Sequence, residues 1–129
     1  MQQHPLFKKK LFWLNGISDE YLTKIYNTAD CLLAASEGEG FGLPLIEAAQ
    51  YNIPILARDI EVFHEVAGNN AIFFDGSSNE AAMNGIKNWI NLYHNGTCPD
   101  SKNIPYLSWR ESAEMLYDVM IKNKWWKIK

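Results

Sequence analysis

Residues 31–49 read CLLAASEGEGFGLPLIEAA, and this stretch predicts the local fold. The short apolar run of residues 31–35 is typical of a buried parallel strand. Pro44 is expected at the first helical position, where its fixed φ fits and its missing N–H leaves no donor unpaired. Leu43 would then be the N-cap, and the apolar residues 45, 46, 48 and 49 would form a buried helix face. The stretch therefore predicts a strand, a glycine-rich turn and a helix.

The turn is suited to an anion. Gly40 and Gly42 have no Cβ, so the backbone can take positive φ and a ligand can approach its amides closely. A helix N-terminus also carries partial positive charge, which stabilises a nearby anion by roughly 0.3–1 kcal/mol. We therefore expect a diphosphate at Gly42 and Leu43, without the help of a lysine.

Two glutamates flank this turn. Glu47 lies one turn into the predicted helix, and helical side chains lean toward the N-terminus, so its carboxylate is expected at the same mouth. A diphosphate would repel it, so ribose hydroxyls are the better partner, through charge-assisted hydrogen bonds of about 1.5–3 kcal/mol. Glu39 precedes the turn, where it would accept hydrogen bonds from a sugar and balance positive charge at the anomeric carbon. The alternative is a surface turn with two unrelated glutamates.

The flanking sequence alternates strand and helix patterns. Such alternation predicts a parallel, doubly wound sheet with right-handed crossovers, whose ligands bind at the carboxyl ends of the strands. Strands are predicted at residues 11–14, 31–35, 55–57 and 71–74. Helices are predicted at 18–29, 44–51, 61–67, 77–93 with a Ser77/Glu80 capping box, and 108–122. Asn52 is expected in the left-handed conformation after the second helix.

Composition favours one globular domain. The chain has 129 residues, of which 47% are hydrophobic and 21% charged, and its net charge of −3 gives no nucleic-acid footprint. Cys31 and Cys98 are too few and too differently placed for a disulfide scaffold or a metal site, which favours a reducing cytosol. No apolar run approaches the ~20 residues of a membrane span. His64-Glu65 lacks the second histidine of a helical zinc site.

Residues 36–49 resemble the Glu-x7-Glu signature of retaining glycosyltransferases with the GT-B fold, in glycosyltransferase family 4. The likeness continues through residues 16–22, 53–57, 65–68 and 108–109, and covers roughly residues 11–120. The stretch ARDIEVFHEVAG, residues 57–68, is similar to a bacterial subgroup that builds O-antigen and related polysaccharides. The resemblance implies a Rossmann-like doubly wound sheet with helices on both faces, forming half of a GT-B fold.

The resemblance also implies roles for individual residues. Glu47 would bind the donor ribose and Glu39 would contact the donor sugar as the catalytic residue. Backbone amides of four residues would address sugar hydroxyls and phosphate: Gly40, Phe41, Gly42 and Leu43. The donor would be a nucleotide-diphospho-sugar, with GDP-mannose preferred, and no metal or other cofactor would be essential.

The chain departs from the family pattern at its N-terminal side. Family members carry an acceptor-binding domain and then a strand and helix bearing an Arg and a Lys that neutralise the diphosphate. Neither segment is recognisable here, and Lys8, Lys9 and Lys10 do not match those positions. Residues 1–129 are therefore expected to be an incomplete C-terminal domain without its first strand-helix unit. Such a chain would be inactive alone and bind nucleotide at millimolar affinity or weaker.

Several partners follow from this interpretation. A missing GT-B domain or partner chain would complete the enzyme, and an exposed sheet edge would invite self-association. The alternative is a non-catalytic binding or assembly module, or one subunit of a split enzyme. Residues 122–129 alternate lysine with tryptophan, which indicates either peripheral contact with the inner membrane or an interdomain patch. Arg58 and Asp59 are expected to form a local ion pair, or to contact ligand from a strand end.

Overall fold

The computed structural model of the protein describes residues 3–122. The membrane or interdomain contact expected of residues 122–129 therefore falls, apart from residue 122, outside the described range. The chain divides into two compact units, one ending at Asp30 and the other beginning at Cys31. The first unit contains helix α1, Asp19–Tyr26. The second contains β1 (Leu32–Ala34), α2 (Leu43–Gln50), β2 (Ile55–Arg58), α3 (Glu61–Ala67), β3 (Ile72–Phe74), α4 (Asn79–His94), a 3-10 turn (Ser101–Asn103) and α5 (Trp109–Met120).

The sheet of the second unit is parallel and has the order β1-β2-β3. Leu33 pairs with Leu56 across the first pair of strands, and Ala57 pairs with Phe73 across the second. The central strand β2 is the most enclosed, since Ile55, Leu56 and Ala57 are all buried. Each strand is followed by a helix, so the predicted α/β architecture is confirmed.

Helices cover both faces of this sheet. Leu56 and Phe74 lie on one face, where Trp89 of α4 packs against them. Phe73 points to the opposite face, because neighbouring residues of a strand alternate. There His64 of α3 stacks on Phe73 with ring centroids 3.8 Å apart. The doubly wound arrangement predicted from the sequence is therefore present.

The two cysteines meet the same apolar cluster. Leu56, Phe74 and Trp89 form its buried centre, and the half-buried Cys31 and Cys98 both pack against it. No disulfide joins these two residues. Cys31 comes from the start of the second unit and Cys98 from the loop after α4, so the cluster draws together distant parts of that unit.

Helix α2 begins one residue earlier than expected. Gly42, not Leu43, is its N-cap, with a left-handed φ of 76° and ψ of 33°. Leu43 is consequently the first helical residue and Pro44 the second. Pro44 is still tolerated there because the amides of the first helical turn have no intrahelical partner. After the helix, Asn52 takes a positive φ of 56°, which confirms the predicted left-handed residue.

The cap of α4 also differs from the prediction. Ser78 is the N-cap, and its side chain accepts a hydrogen bond from the amide of Ala81 at 3.1 Å. Ser77 instead donates its hydroxyl and its backbone amide to the carboxylate of Asp75, at 2.9 and 2.7 Å. The predicted Ser77/Glu80 capping box is therefore wrong, because Asp75 competes for Ser77.

The N-terminal unit lacks the strand predicted at residues 11–14. Leu11 makes only an isolated bridge with Phe7, and Phe12, Trp13 and Leu14 are exposed. An apolar run becomes a strand only when a neighbouring strand accepts its backbone hydrogen bonds. The structure assigns no strand among residues 3–30, so the described sheet has three strands, not four.

Helix α1 shows why side chains near a helix end matter. Its N-cap is Ser18, as predicted, but it ends at Tyr26 instead of Ala29. The side chains of Asn27 and Thr28 donate to the backbone carbonyls of Thr23 and Lys24, at 2.8 and 2.9 Å. These bonds occupy carbonyls of the last turn and favour termination there. Its apolar residues, spaced three or four apart, are all half-buried: Leu22, Ile25, Tyr26 and Ala29.

Candidate functional site

The candidate site lies at the carboxyl ends of the three strands. Loops of residues 35–42, 59–60 and 75–78 leave β1, β2 and β3 there. Parallel strands present these loops along one edge of the sheet, which is where ligands bind in open α/β folds. The Glu39 to Glu47 stretch occupies this position, as the sequence predicts.

The turn before α2 packs against an aromatic side chain of the core. Gly42 is buried, and a Cβ built on it would lie 3.3 Å from Cδ1 of Phe63. Phe63 belongs to α3 and is fully buried. Phe41 and Leu43, on either side of Gly42, are instead 60% and 57% exposed. The backbone of the turn is therefore fixed to the core while its two flanking side chains face solvent.

Glu47 lies in a cavity of about 580 Å³ beside that turn. Its side chain is half-buried, and it lines the cavity together with Phe41 and Leu43. The remaining lining comes from α2, from the segment before α5 and from the first turn of α5: Ile46, Gln50, Pro105, Tyr106, Leu107, Ser108, Trp109 and Ser112. Three of the six predicted site residues therefore share one recess next to the N-terminus of α2.

Glu39 and Gly40 line a different recess. This shallower cleft has a volume of about 390 Å³, and Glu61 and Glu65 of α3 also line it. The Glu39 side chain is exposed, and its Oε1 accepts a hydrogen bond of 2.7 Å from the hydroxyl of Ser36. The structure thus separates the two glutamates of the motif into two neighbouring environments, one partly enclosed and one open.

Arg58, the last residue of β2, links two of the strand-end loops. Its Nε donates to the carbonyl of Ala35 at 3.1 Å, and its Nη1 donates to the carbonyl of Gly76 at 3.2 Å. The same Nη1 lies 3.7 Å from Oε1 of Glu37. Asp59, by contrast, is hydrogen-bonded through its Oδ1 to Nε2 of His64 at 2.7 Å. The expected local pair between Arg58 and Asp59 is therefore wrong.

Asp75 adds a fixed negative charge to the loop after β3. The backbone amide of Ser77 donates to it, and this bond, followed by that from the Ser77 hydroxyl, lowers the pKa of the Asp75 carboxyl. The nearby positive charge of Arg58 lowers this pKa further. The carboxyl consequently stays ionised to lower pH than an ordinary aspartate.

Comparison with known proteins assigns the family. Residues 2–102 match the family of glycosyl transferases group 1. The chain belongs to this family. Membership confirms the resemblance carried by residues 36–49, and it agrees with the Rossmann-like sheet, which corresponds to half of a GT-B fold.

Curated relatives of this group 1 chain are named as mannosyltransferases. The serotype-specific mannosyltransferase WbdA of Escherichia coli is 47% identical over 116 residues, covering 90% of this chain and 14% of WbdA. The O-antigen chain mannosyltransferase RfbU of Salmonella typhimurium is 38% identical over 81 residues, covering 63% of this chain and 23% of RfbU. The chain thus spans less than a quarter of the length of either relative.

Arg58 is the residue of this group 1 domain that sequence reasoning underrated. Its position at the end of a buried strand indicated a site residue, but its partners lie 23 and 18 residues away and follow no local pattern.

Across residues 3–122, no three His, Cys, Asp or Glu side chains are placed to hold a metal ion. The helices of that same range include none long and apolar enough to cross a membrane.

Proposed function

We propose that this chain is the donor-binding part of a retaining mannosyltransferase that uses GDP-mannose to build a bacterial surface polysaccharide such as O-antigen. Family membership supports glycosyl transfer, and the names of WbdA and RfbU support mannose and O-antigen. In this proposal a mannosyl group passes from the diphosphate to an acceptor hydroxyl with its anomeric configuration retained.

The observation that carries the proposal is the position of Glu47. Its half-buried carboxylate shares a recess with Phe41 and Leu43 at the N-terminus of α2. A carboxylate so placed is suited to a vicinal diol, and we assign it to the ribose hydroxyls of the donor. The amides of Gly40, Phe41, Gly42 and Leu43 would bind phosphate and sugar oxygens.

Glu39 is assigned to the donor sugar. Its exposed carboxylate is turned toward Ser36 by a hydrogen bond but keeps acceptor capacity for sugar hydroxyls. The partial positive charge at the start of α2 would offset part of the diphosphate charge, so the proposal requires no metal. Because that charge is small, we expect millimolar or weaker binding by this chain alone, with a missing domain or partner chain supplying the rest.

Ligand-observed saturation-transfer NMR tests this function. The purified chain would be mixed with GDP-mannose, UDP-glucose, GDP and UDP in turn. We expect signal from the guanine ligands, and loss of that signal in Glu47→Ala but not in the control Glu80→Ala, which changes an exposed glutamate in the first turn of α4. A preference for UDP-glucose would overturn the choice of donor, and identical signal from the parent and Glu47→Ala would overturn the ribose assignment.

A second candidate is a non-catalytic assembly module or a subunit of a split enzyme. The observation that favours it is β1, which pairs with β2 along one edge only, within the described sheet, and leaves Leu33 50% exposed. An edge strand of this kind invites pairing with another chain. Sedimentation velocity over a range of concentrations would detect self-association. A strictly monomeric chain that binds GDP-mannose would contradict this candidate.

A further inference from the structure

One guanidinium group connects the loops on both sides of the central strand. Arg58 ends β2, which lies between β1 and β3 in the sheet. Its Nε donates to the Ala35 carbonyl after β1, and its Nη1 donates to the Gly76 carbonyl after β3. The side chain is only 22% exposed. Arg58 therefore holds the loop after β1 and the loop after β3 at a fixed separation, at the carboxyl ends of the strands.

The loop after β1 carries Glu39. Arg58 contacts the residues on both sides of Ser36: the carbonyl of Ala35 at 3.1 Å and the carboxylate of Glu37 at 3.7 Å. Ser36 in turn donates its hydroxyl to Glu39 at 2.7 Å. Arg58 thus contacts both chain neighbours of Ser36, and Ser36 makes the hydrogen bond to the Glu39 carboxylate.

Little else fixes this loop. Glu37, Gly38, Glu39 and Gly40 are all exposed, and both glycines have open space where a Cβ would lie. Glycines and solvent exposure leave a loop with many accessible backbone conformations. The direction of the Glu39 side chain therefore depends on the few contacts made near Ser36.

We propose that Arg58 is a positioning residue for Glu39, acting through Ala35, Glu37 and Ser36. This inference rests on the proposed function, in which Glu39 meets the donor sugar. A lysine would not replace Arg58, because its single ammonium is a point charge, whereas the planar guanidinium presents several donors in fixed directions to two separate carbonyls.

Gly76 gives independent support. A Cβ built on Gly76 would lie 2.5 Å from both Cζ and Nη1 of Arg58, closer than real Cβ contacts. Any larger residue at position 76 must displace the guanidinium. Gly76→Ala consequently disturbs the hydrogen bonds of Arg58 to the two loops while leaving the charge of Arg58 in place. Arg58→Lys keeps a charge but loses the fork. The two variants reach the same defect by different routes.

A direct role for Arg58 in binding the diphosphate predicts a different result. If Arg58 bound the diphosphate, it would contribute equally to the affinities for GDP and GDP-mannose, since both ligands contain the diphosphate. A positioning residue for Glu39 would affect contact with the mannose and leave nucleotide binding nearly unchanged. The two roles are therefore separable by comparing the sugar and base protons of one ligand.

The test is saturation-transfer NMR on the full chain with GDP-mannose, for the parent, Arg58→Lys, Gly76→Ala and the control Arg110→Lys. Arg110 is exposed on α5 and pairs with Glu114. In Arg58→Lys and Gly76→Ala we expect the signal of the mannose protons, relative to the guanine proton, to fall by about half or more as the Glu39 contact is lost, with GDP affinity within about twofold of the parent. Arg110→Lys should match the parent. Equal loss of sugar and base signals, or full retention in Arg58→Lys, would overturn the inference.

A second readout needs no ligand. In the same variants, 15N relaxation should show increased motion of the amides of residues 36–40, with those of α2 unchanged. Unaltered relaxation in that loop would contradict the positioning role. If the parent binds none of the nucleotides, the proposed function fails, and this relaxation experiment still decides the inference.

Discussion

Glu39 and Glu47 stand eight residues apart in one motif, but the structure holds them in different ways. Glu47 projects from a regular helix whose inner residues, Leu45, Ala48 and Ala49, are buried. Glu39 projects from an exposed loop, where the hydroxyl of Ser36 and the more distant guanidinium of Arg58 restrain it. The position of Glu47 thus follows from local helix geometry. That of Glu39 depends on contacts between loops that are far apart in sequence.

The largest effect on stability is expected when the aromatic side chain packed against the N-terminus of α2 is removed. Phe63 is fully buried against Gly42, so Phe63→Ala should lower the free energy of unfolding by about 3–5 kcal/mol through lost packing and a residual cavity. Phe41→Ala, on the exposed side of the same turn, should change it by no more than about 0.5 kcal/mol. Urea unfolding followed by circular dichroism measures both. Similar losses would show that the turn is not anchored through Phe63.

A smaller loss is expected from the cap itself. Gly42→Ala places a Cβ at a left-handed φ of 76° and 3.3 Å from Phe63, and should cost about 1–2 kcal/mol of unfolding free energy. Gly38→Ala, in the loop that carries Glu39, is the matched control. Gly38 has no positive φ, and a Cβ at this position would meet nothing within 4 Å. Equal stability of the two variants in urea would remove the distinction between an anchored and an open glycine.

Ligand binding should separate the two glutamates next. Glu47→Ala is expected to weaken GDP binding about tenfold, since one charged hydrogen-bonding group is lost. Glu39→Ala should leave GDP affinity nearly unchanged and reduce only the contact with mannose. Titrations of each variant with GDP, followed by NMR, measure the difference. The comparison would fail if Glu39→Ala weakened GDP as much as Glu47→Ala.

The smallest expected effect concerns acid. The folded pKa of Asp75 is below its ordinary value, so the folded chain binds fewer protons there than the unfolded chain. Its stabilising contribution is present above about pH 4 and is lost as pH falls through the lowered folded pKa. Asp75→Asn should therefore flatten part of the acid dependence of unfolding. Acid titrations monitored by circular dichroism measure this effect, with a substitution of the exposed Asp19, Asp19→Asn, as the control. A slope left unchanged by Asp75→Asn would contradict this role of Asp75.

Much of the strand, turn and helix that position Glu47 could be predicted, because the sequence patterns of these elements are local. The apolar strand, the glycines, Pro44 and the helix over residues 61–67 all carry their own patterns, and α3 runs from Glu61 to Ala67 as expected. The errors there were single-residue shifts of caps, at Gly42 and Ser78. At Ser78 the shift arose because Asp75 accepts hydrogen bonds from Ser77, whereas at Gly42 the glycine takes the left-handed cap conformation without a side-chain hydrogen bond.

The remainder depends on contacts between distant residues. The apolar run at residues 11–14 has the composition of a strand, but the structure gives it only an isolated bridge. Arg58 reaches carbonyls 23 and 18 residues away, and no spacing rule connects an arginine to bare backbone acceptors. Sequence patterns locate the edge of the sheet that carries the site, whereas the hydrogen bonds of Arg58 across that edge arise only in the folded chain.

The shared packing of Cys31 and Cys98 supplies a built-in reporter of unfolding. Both thiols border the Leu56, Phe74 and Trp89 cluster, and burial raises the pKa of the Cys98 thiol. Because thiolates are the species that react with alkylating agents, modification of Cys98 in the folded chain should be slow. Unfolding removes that burial, so the rate at which a maleimide labels Cys98 should rise when the cluster opens, without any added fluorophore or engineered residue.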